Sequence, residues 1–221
     1  MAPDETSLEA ALERARTLEV SRLADRVQAI GFECTRCGAC CRGEREDPHT
    51  ATVYPDEVRE LQTAAVGATE WRDVARPMPY GLDESGAGAT LEWAIQTDQC
   101  GDCVFHDETG GQSRCTAHDA RPMICQTYPF SLDLEGTAQP AGEPIDRTGQ
   151  VVVHECEGLG QDMSRDEAES MARSLKQRAI RDLEEAIALL EEYEPVDVSP
   201  GTAVVHDSEG VKRPDGSRFE E

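Results

Sequence analysis

Cys34-Thr-Arg-Cys37-Gly-Ala-Cys40-Cys41 is the stretch on which the reading of this chain turns. In a C-x-x-C turn the two intervening residues fold back, so both thiolates reach one cation and nearby amides can point at the sulfurs. Cys40 extends the same half-cage. The adjacent Cys41 projects differently, so the pair serves two ions, or one sulfur ligates while the other packs. The same opening begins bacterial ferredoxin motifs, but those continue with three residues, a cysteine and a proline, whereas here Cys41 follows at once.

Working outward, five more cysteines follow: Cys100, Cys103, Cys115, Cys125 and Cys156. A total of nine is odd, which argues against a disulfide framework and for metal or redox chemistry in a reducing cytoplasm. Nine thiols permit two tetrahedral zinc sites with one spare cysteine, a four-iron cluster plus one zinc, or one shared polynuclear centre, and the spacing does not choose among them. Around them, Arg121 either donates toward a negatively charged thiolate set or pairs with an acid such as Asp119. His118 and His154 read as neighbours of a site or surface residues rather than ligands. His49 and His106 carry a weaker signal, and His206 lies in the tail. Tyr128, Pro129 and Phe130 read as the packed lid of a small core.

The formal net charge is -24, and the only lysines are Lys176 and Lys212. Such charge repels itself in dilute buffer and is screened in concentrated salt, so the expected setting is a salt-rich cytoplasm, as in a halophilic archaeon. No cluster of Lys and Arg offers phosphate neutralisation, so neither direct nucleic-acid binding nor an anionic membrane surface is expected. No basic region leads an apolar stretch at the N-terminus, and no window approaches a bilayer span. The expected location is the cytoplasm.

The first stretch predicts one helix. Thr6 with Glu9 makes a capping box, Leu8, Leu12, Ala15, Leu23, Val27 and Ile30 recur at helical spacing, and Gly31 supplies the stop. A second helix is predicted from Pro55 to Gly67, with Val58, Leu61 and Ala65 inward. Alternation of Leu91, Trp93 and Ile95 predicts a half-buried strand over 90–95, with short strands near 113–117 and 151–154. A one- or two-turn helix carrying Cys125 is predicted after Pro122, capped by Asp119. A long helix starts at Ser164, boxed with Glu167, and runs with Met171, Leu175, Ala179, Leu183, Ile187 and Leu190 inward to about Tyr193. An irregular loop is expected over 135–148. The predicted fold class is α+β: a small cysteine-rich domain stapled by metal, with short strands, flanked by an N-terminal helix and a long C-terminal helix. The predicted segments are 1–31 (helix packed on the core), 32–193 (cysteine-cluster domain) and 194–221 (acidic disordered tail).

Three separated motifs in order, Cys34-x-x-Cys37-x-x-Cys40-Cys41, then Cys103-Val-Phe-His-Asp before Cys115, then Arg121-Pro-Met-Ile-Cys125-Gln-Thr-Tyr-Pro-Phe, resemble the YkgJ-type cysteine cluster family, also called the CxxCxxCC or zinc/iron-chelating domain. The resemblance spans about Phe32 to Gly158. It implies Cys34, Cys37, Cys40, Cys41, Cys103, Cys115, Cys125 and Cys156 as metal ligands, with Cys100 an extra cysteine that makes a local C-x-x-C with Cys103. It implies zinc or iron as the cofactor, and it extends to the N-terminal portion of flagellin lysine methylases; the ferredoxin-like opening adds an iron-sulfur cluster as one form the iron can take. No glycine-rich nucleotide or S-adenosylmethionine loop follows a strand here, so methyl transfer is not carried over. The leading expectation is a metal ion doing structural work. The alternatives are iron-sulfur redox or radical chemistry, including a lysine-methylase-related activity, and a thiol-disulfide pair at Cys100 and Cys103. No catalytic triad or phosphate loop stands out to support an enzyme, and metal ions are the only partners the residues specify.

Overall fold

The structure, a computed structural model, describes residues 5–64, 67, 70–111, 113–134 and 144–219. In chain order the elements are α1 (Glu5–Thr17), α2 (Val20–Ile30), β1 (Thr52–Val53), α3 (Pro55–Ala64), α4 (Trp71–Val74), β2 (Ala75–Pro77), β3 (Gly88–Leu91), β4 (Trp93–Ile95), β5 (His106–Asp107), β6 (Arg114–Cys115), α5 (Met123–Thr127), β7 (Phe130–Leu132), β8 (Pro144–Asp146), β9 (Val151–His154), α6 (Arg165–Glu192), β10 (Ala203–Asp207) and β11 (Gly210–Lys212). Single 3-10 turns lie at Ala39–Cys41 and His118–Ala120. Helix and strand are mixed, with helices at the N-terminal end and a long one toward the C-terminus, which is the α+β class read from the sequence.

One compact unit comprises Met1–Ala39 and Met123–Glu184. The single helix predicted at its start forms as two. The Thr17 hydroxyl donates to the Arg14 carbonyl at 2.9 Å and the chain extends at Glu19 (φ -84°, ψ 111°) before α2 begins. Gly31, at φ 74°, donates to Val27 and ends α2 where predicted. β9 is the centre of a sheet ordered β7-β9-β8, and all its residues are buried. α6 opens on the predicted box: the Glu167 carboxylate accepts from Ser164 N at 2.9 Å, and Glu167 N donates back to the Ser164 hydroxyl at 3.3 Å. Its inward stripe is Ala168, Ala172, Leu175, Ala179 and Leu183, so small residues make the closest approach. Met171 and Ile187, predicted inward, are half-buried, and Leu190 is 46% exposed. Between them Arg178 is buried, its guanidinium donating to Thr127 Oγ1 at 3.1 Å and facing Asp182 at 3.6 Å. The loop expected over 135–148 falls largely outside the described residues, and 144–146 pair as β8.

The other compact unit comprises Cys40–Pro122 and Glu185–Glu221. Its sheets are ordered β1-β4-β2 and β11-β10-β3, with β5-β6 as a hairpin. The strand predicted over 90–95 is two strands. Glu92 takes a left-handed conformation (φ 67°) that breaks the alternation, so β3 pairs with β10 while β4 pairs with β1 and β2. The predicted disordered tail is corrected here, because 203–207 and 210–212 are paired strands. Val204 and Val205 are fully buried, and the tail's charge is used internally. Asp207 accepts from Trp93 Nε1 at 2.7 Å and from Lys212 Nζ at 2.8 Å, with both charged residues buried. An acidic segment that can neutralise its buried carboxylate in this way does not need to stay solvated. Trp71 and Trp93 pack edge to face at 5.1 Å beside this pair.

Candidate metal centre

Each unit gathers cysteines of its own. In the unit built from short strands, the turn at Ala39–Cys41 sets Cys40 Sγ 3.9 Å from Cys41 Sγ. Two thiolates sharing one tetrahedral ion at about 2.3 Å stand about 3.8 Å apart, so this edge has the length such a site needs. Cys103 N donates to the Cys41 carbonyl at 2.9 Å, and the β5–β6 register sets His106 opposite Cys115. The residues after Cys41 are pressed against the segment carrying Cys103: His49 N donates to the Gly101 carbonyl at 2.8 Å and Gly43 N to Asp102 Oδ1 at 2.9 Å. Gly43 permits that approach, since a Cβ there would lie 2.3 Å from His49 N and 2.4 Å from the Gly101 oxygen. Asp98 Oδ1 accepts from the amides of Cys100, Gly101 and Asp102, and this turn leaves Cys100 exposed.

In the helical unit the gathering runs through backbone and a tyrosine. Phe32 bridges to Leu159 and Glu33 N donates to the Gly158 carbonyl at 3.0 Å, which brings Cys34 alongside the turn that starts at Cys156. Gly158 is needed there, because a Cβ would sit 2.1 Å from the Glu33 oxygen. Cys125 lies on α5, and the Tyr128 hydroxyl donates to the Glu155 carbonyl while His154 N donates to Pro129 at 2.9 Å. Between Cys34 and Cys37, Arg36 holds φ 57°, and Gly38 follows at φ 77°. A left-handed non-glycine residue costs about 1–3 kcal/mol and persists where its surroundings demand it.

The electrostatics of the strand unit favour a cation. The Cys41 hydrogen bond lowers Cys40 to a pKa of about 7, with a smaller pull from the Arg121 charge. Burial pushes Cys103 up to about 12 and also raises Cys115, whose shift Arg121 opposes. Cys40 and Cys115 both add to the rise at Cys103, so bare thiolates oppose one another here. A bound divalent ion removes that conflict by taking the place of the protons. His49 adds a donor. Burial lowers its pKa, a hydrogen bond with the Cys40 backbone opposes the shift, and Nδ1 is buried with no partner among the described residues. Thiolates beside a neutral imidazole suit zinc or iron rather than calcium or magnesium, so the donor set fits the group read from the sequence. Among the described residues no three ligating side chains stand in common reach of one ion, so the side chains as they stand do not form a closed cage.

The predicted ligands therefore divide: Cys40, Cys41, Cys103 and Cys115 in one unit, Cys34, Cys37, Cys125 and Cys156 in the other, all of them free thiols. His49 carries only a weak signal in the sequence, because nothing in its spacing from Cys41 announces the approach that Gly43 allows. His154, read as near a site or on the surface, is buried with Ser131 Oγ at 2.8 Å. Arg121 donates to the His118 carbonyl at 3.0 Å, and its charge reaches Cys40 and Cys115. A family model described as CxxCxxCC, "Putative zinc- or iron-chelating domain", matches residues 33–157, more than half of the chain. Among curated proteins and among solved structures nothing matches.

Proposed function

The chain belongs to the CxxCxxCC family of zinc- or iron-chelating domains, and on that premise we propose that it is a cytoplasmic chelating protein in which Cys34, Cys37, Cys40, Cys41, Cys103, Cys115, Cys125 and Cys156 are the ligands. The observation that carries the reading is the close edge between Cys40 and Cys41, with the Cys103 backbone hydrogen-bonded to Cys41. When bound, the ion supplies cross-linking of segments whose own strands run to two or three residues around it. The chain's own residues do the rest. Asp98 and Gly43 fix the backbone, Arg121 offsets thiolate charge, and the buried thiol of Cys103 gives up its proton on loading. Nine free thiols suit a reducing compartment, and among the described residues no helix is long and apolar enough to cross a membrane.

Metal analysis by mass spectrometry on anaerobically prepared protein, with the visible spectrum, tests this. Bound zinc or iron that protects the thiols from alkylation is the expected result. A folded, metal-free protein whose cysteines all alkylate would overturn it. The second reading, an iron-sulfur redox or radical protein with methylase-related activity as one form, is favoured by the Cys34-x-x-Cys37-x-x-Cys40 opening. Brown colour and labile sulfide would select it. A colourless, zinc-loaded sample from iron-replete, anaerobically handled cells would remove it.

A further inference from the structure

We infer that the chain holds two metal centres, one in each compact unit: Cys34, Cys37, Cys125 and Cys156 make the first, and Cys40, Cys41, Cys103 and Cys115 the second. This rests on the proposed chelating function and deepens it. Contiguity in sequence suggests that Cys34, Cys37, Cys40 and Cys41 share one ion, but the chain divides between Ala39 and Cys40, so each half of the run belongs with different distal cysteines. Cys40 and Cys41 are committed to Cys103 by the hydrogen bond to the Cys41 carbonyl, and the β5–β6 register, which sets His106 opposite Cys115, with Thr116 N donating to the Phe105 carbonyl at 2.8 Å, holds Cys115 beside the segment that carries Cys103. Cys34 and Cys37 are left with a turn of their own, in which Arg36 and Gly38 are both left-handed. That C-x-x-C-G turn is anchored through Glu33 to the segment after Cys156, while Tyr128 ties the segment after Cys125 to the residue before Cys156.

The division uses eight of the nine cysteines and leaves the exposed Cys100. Four thiolates complete the coordination of one tetrahedral ion, and the same number holds one cubane cluster, so the partition stands whether the centre is zinc or iron-sulfur. The His49 backbone N–H donates to the Gly101 carbonyl in the segment that carries Cys103, so its buried Nδ1, without a partner among the described residues, belongs to the unit of the second centre.

The experiment uses the full chain loaded with zinc, intact-mass measurement under native conditions, and cysteine-by-cysteine alkylation during graded removal of zinc by EDTA. The expected result is two zinc ions per chain, with Cys100 alkylated at once. The paired variant Cys125→Ser with Cys156→Ser should retain one ion and keep Cys40, Cys41, Cys103 and Cys115 protected. Cys103→Ser with Cys115→Ser should retain one ion and keep Cys34, Cys37, Cys125 and Cys156 protected. If either variant fails to fold, the one-zinc species formed from the unsubstituted protein gives the same reading through which four thiols label together. One ion per chain, a folded variant that loses both ions, or joint labelling of Cys34, Cys37, Cys40 and Cys41 would overturn the partition while leaving chelation intact. A folded protein that takes up no zinc or iron overturns chelation, and the partition with it.

Discussion

The two compact units hold themselves together by different means. In the one containing most of α6, helices of 11 to 28 residues bury Leu8, Leu12, Val27, Leu175 and Leu183, and α2 packs on the central strand of a three-stranded sheet. Amphipathic helices of that length gain their stability from continuous apolar burial, and an ion is an addition to a core that already exists. The other unit is made of strands of two to five residues and the ten-residue α3, with a smaller apolar core around Val58, Leu61 and the paired tryptophans and a buried Asp207–Lys212 pair. Strands that short contribute little alone. Dependence on metal is therefore expected to be greater in the strand unit, although the cysteines are shared almost evenly between the units.

The largest effect that can break this contrast is metal removal. Structural zinc carries a binding free energy of about 10–16 kcal/mol that becomes folding free energy where the apo segment cannot fold. Complete stripping of the loaded protein is expected to abolish the tryptophan near-ultraviolet signal, since Trp71 and Trp93 both lie in the strand unit, while most helical ellipticity remains. Loss of both signals at the same chelator concentration would mean that the two units melt as one. Next in size is Asp207→Ala. It leaves the Lys212 charge with the part-exposed Glu209 and the Trp71 face among the described residues and strips Trp93 Nε1 of its acceptor, so about 3–5 kcal/mol of stability should be lost in the strand unit alone. Tryptophan fluorescence during urea unfolding measures it, and an equal fall in the midpoint of the helical signal would count against independent cores.

A smaller change sharpens the comparison from the other side. Ser164→Ala removes the α6 cap and should cost about 1 kcal/mol, read as a lower midpoint of the helical transition with the tryptophan transition unmoved. The smallest effect is pH-dependent and local to the β5–β6 hairpin. Asp107 is held down to about 2, first by the Thr109 hydroxyl and amide and then by Arg114. A carboxyl lowered in the folded state adds stability that is fully present above its ordinary pKa near 4 and is lost as pH falls through about 2. The protection of the hairpin amides, taken as the exchange rate relative to that of an unfolded amide at the same pH, should therefore fall on acidification through that window. The same dependence in Asp107→Asn would assign it to another group.

Part of the fold and of the candidate site was legible because its signals are local. The box at Ser164 and Glu167, the stop at Gly31 and the start of α3 at Pro55 each depend on residues within one turn, and each is where the sequence put it. The thiols were legible for the same reason, since a C-x-x-C turn advertises its chemistry in four residues. The break at Glu92, the strands of the acidic tail and the approach of His49 to Cys40 were not.

By itself the sequence determined the donor chemistry, the family and helix ends such as Gly31, Pro55 and Ser164, because each is written in spacing along the chain. Only the tertiary structure decided which segments meet around the cysteines and what the tail becomes. Those outcomes rest on pairs such as Glu33 with Gly158 and Trp93 with Asp207, separated by more than a hundred residues, and local spacing carries no record of a partner that the chain reaches only after it has folded.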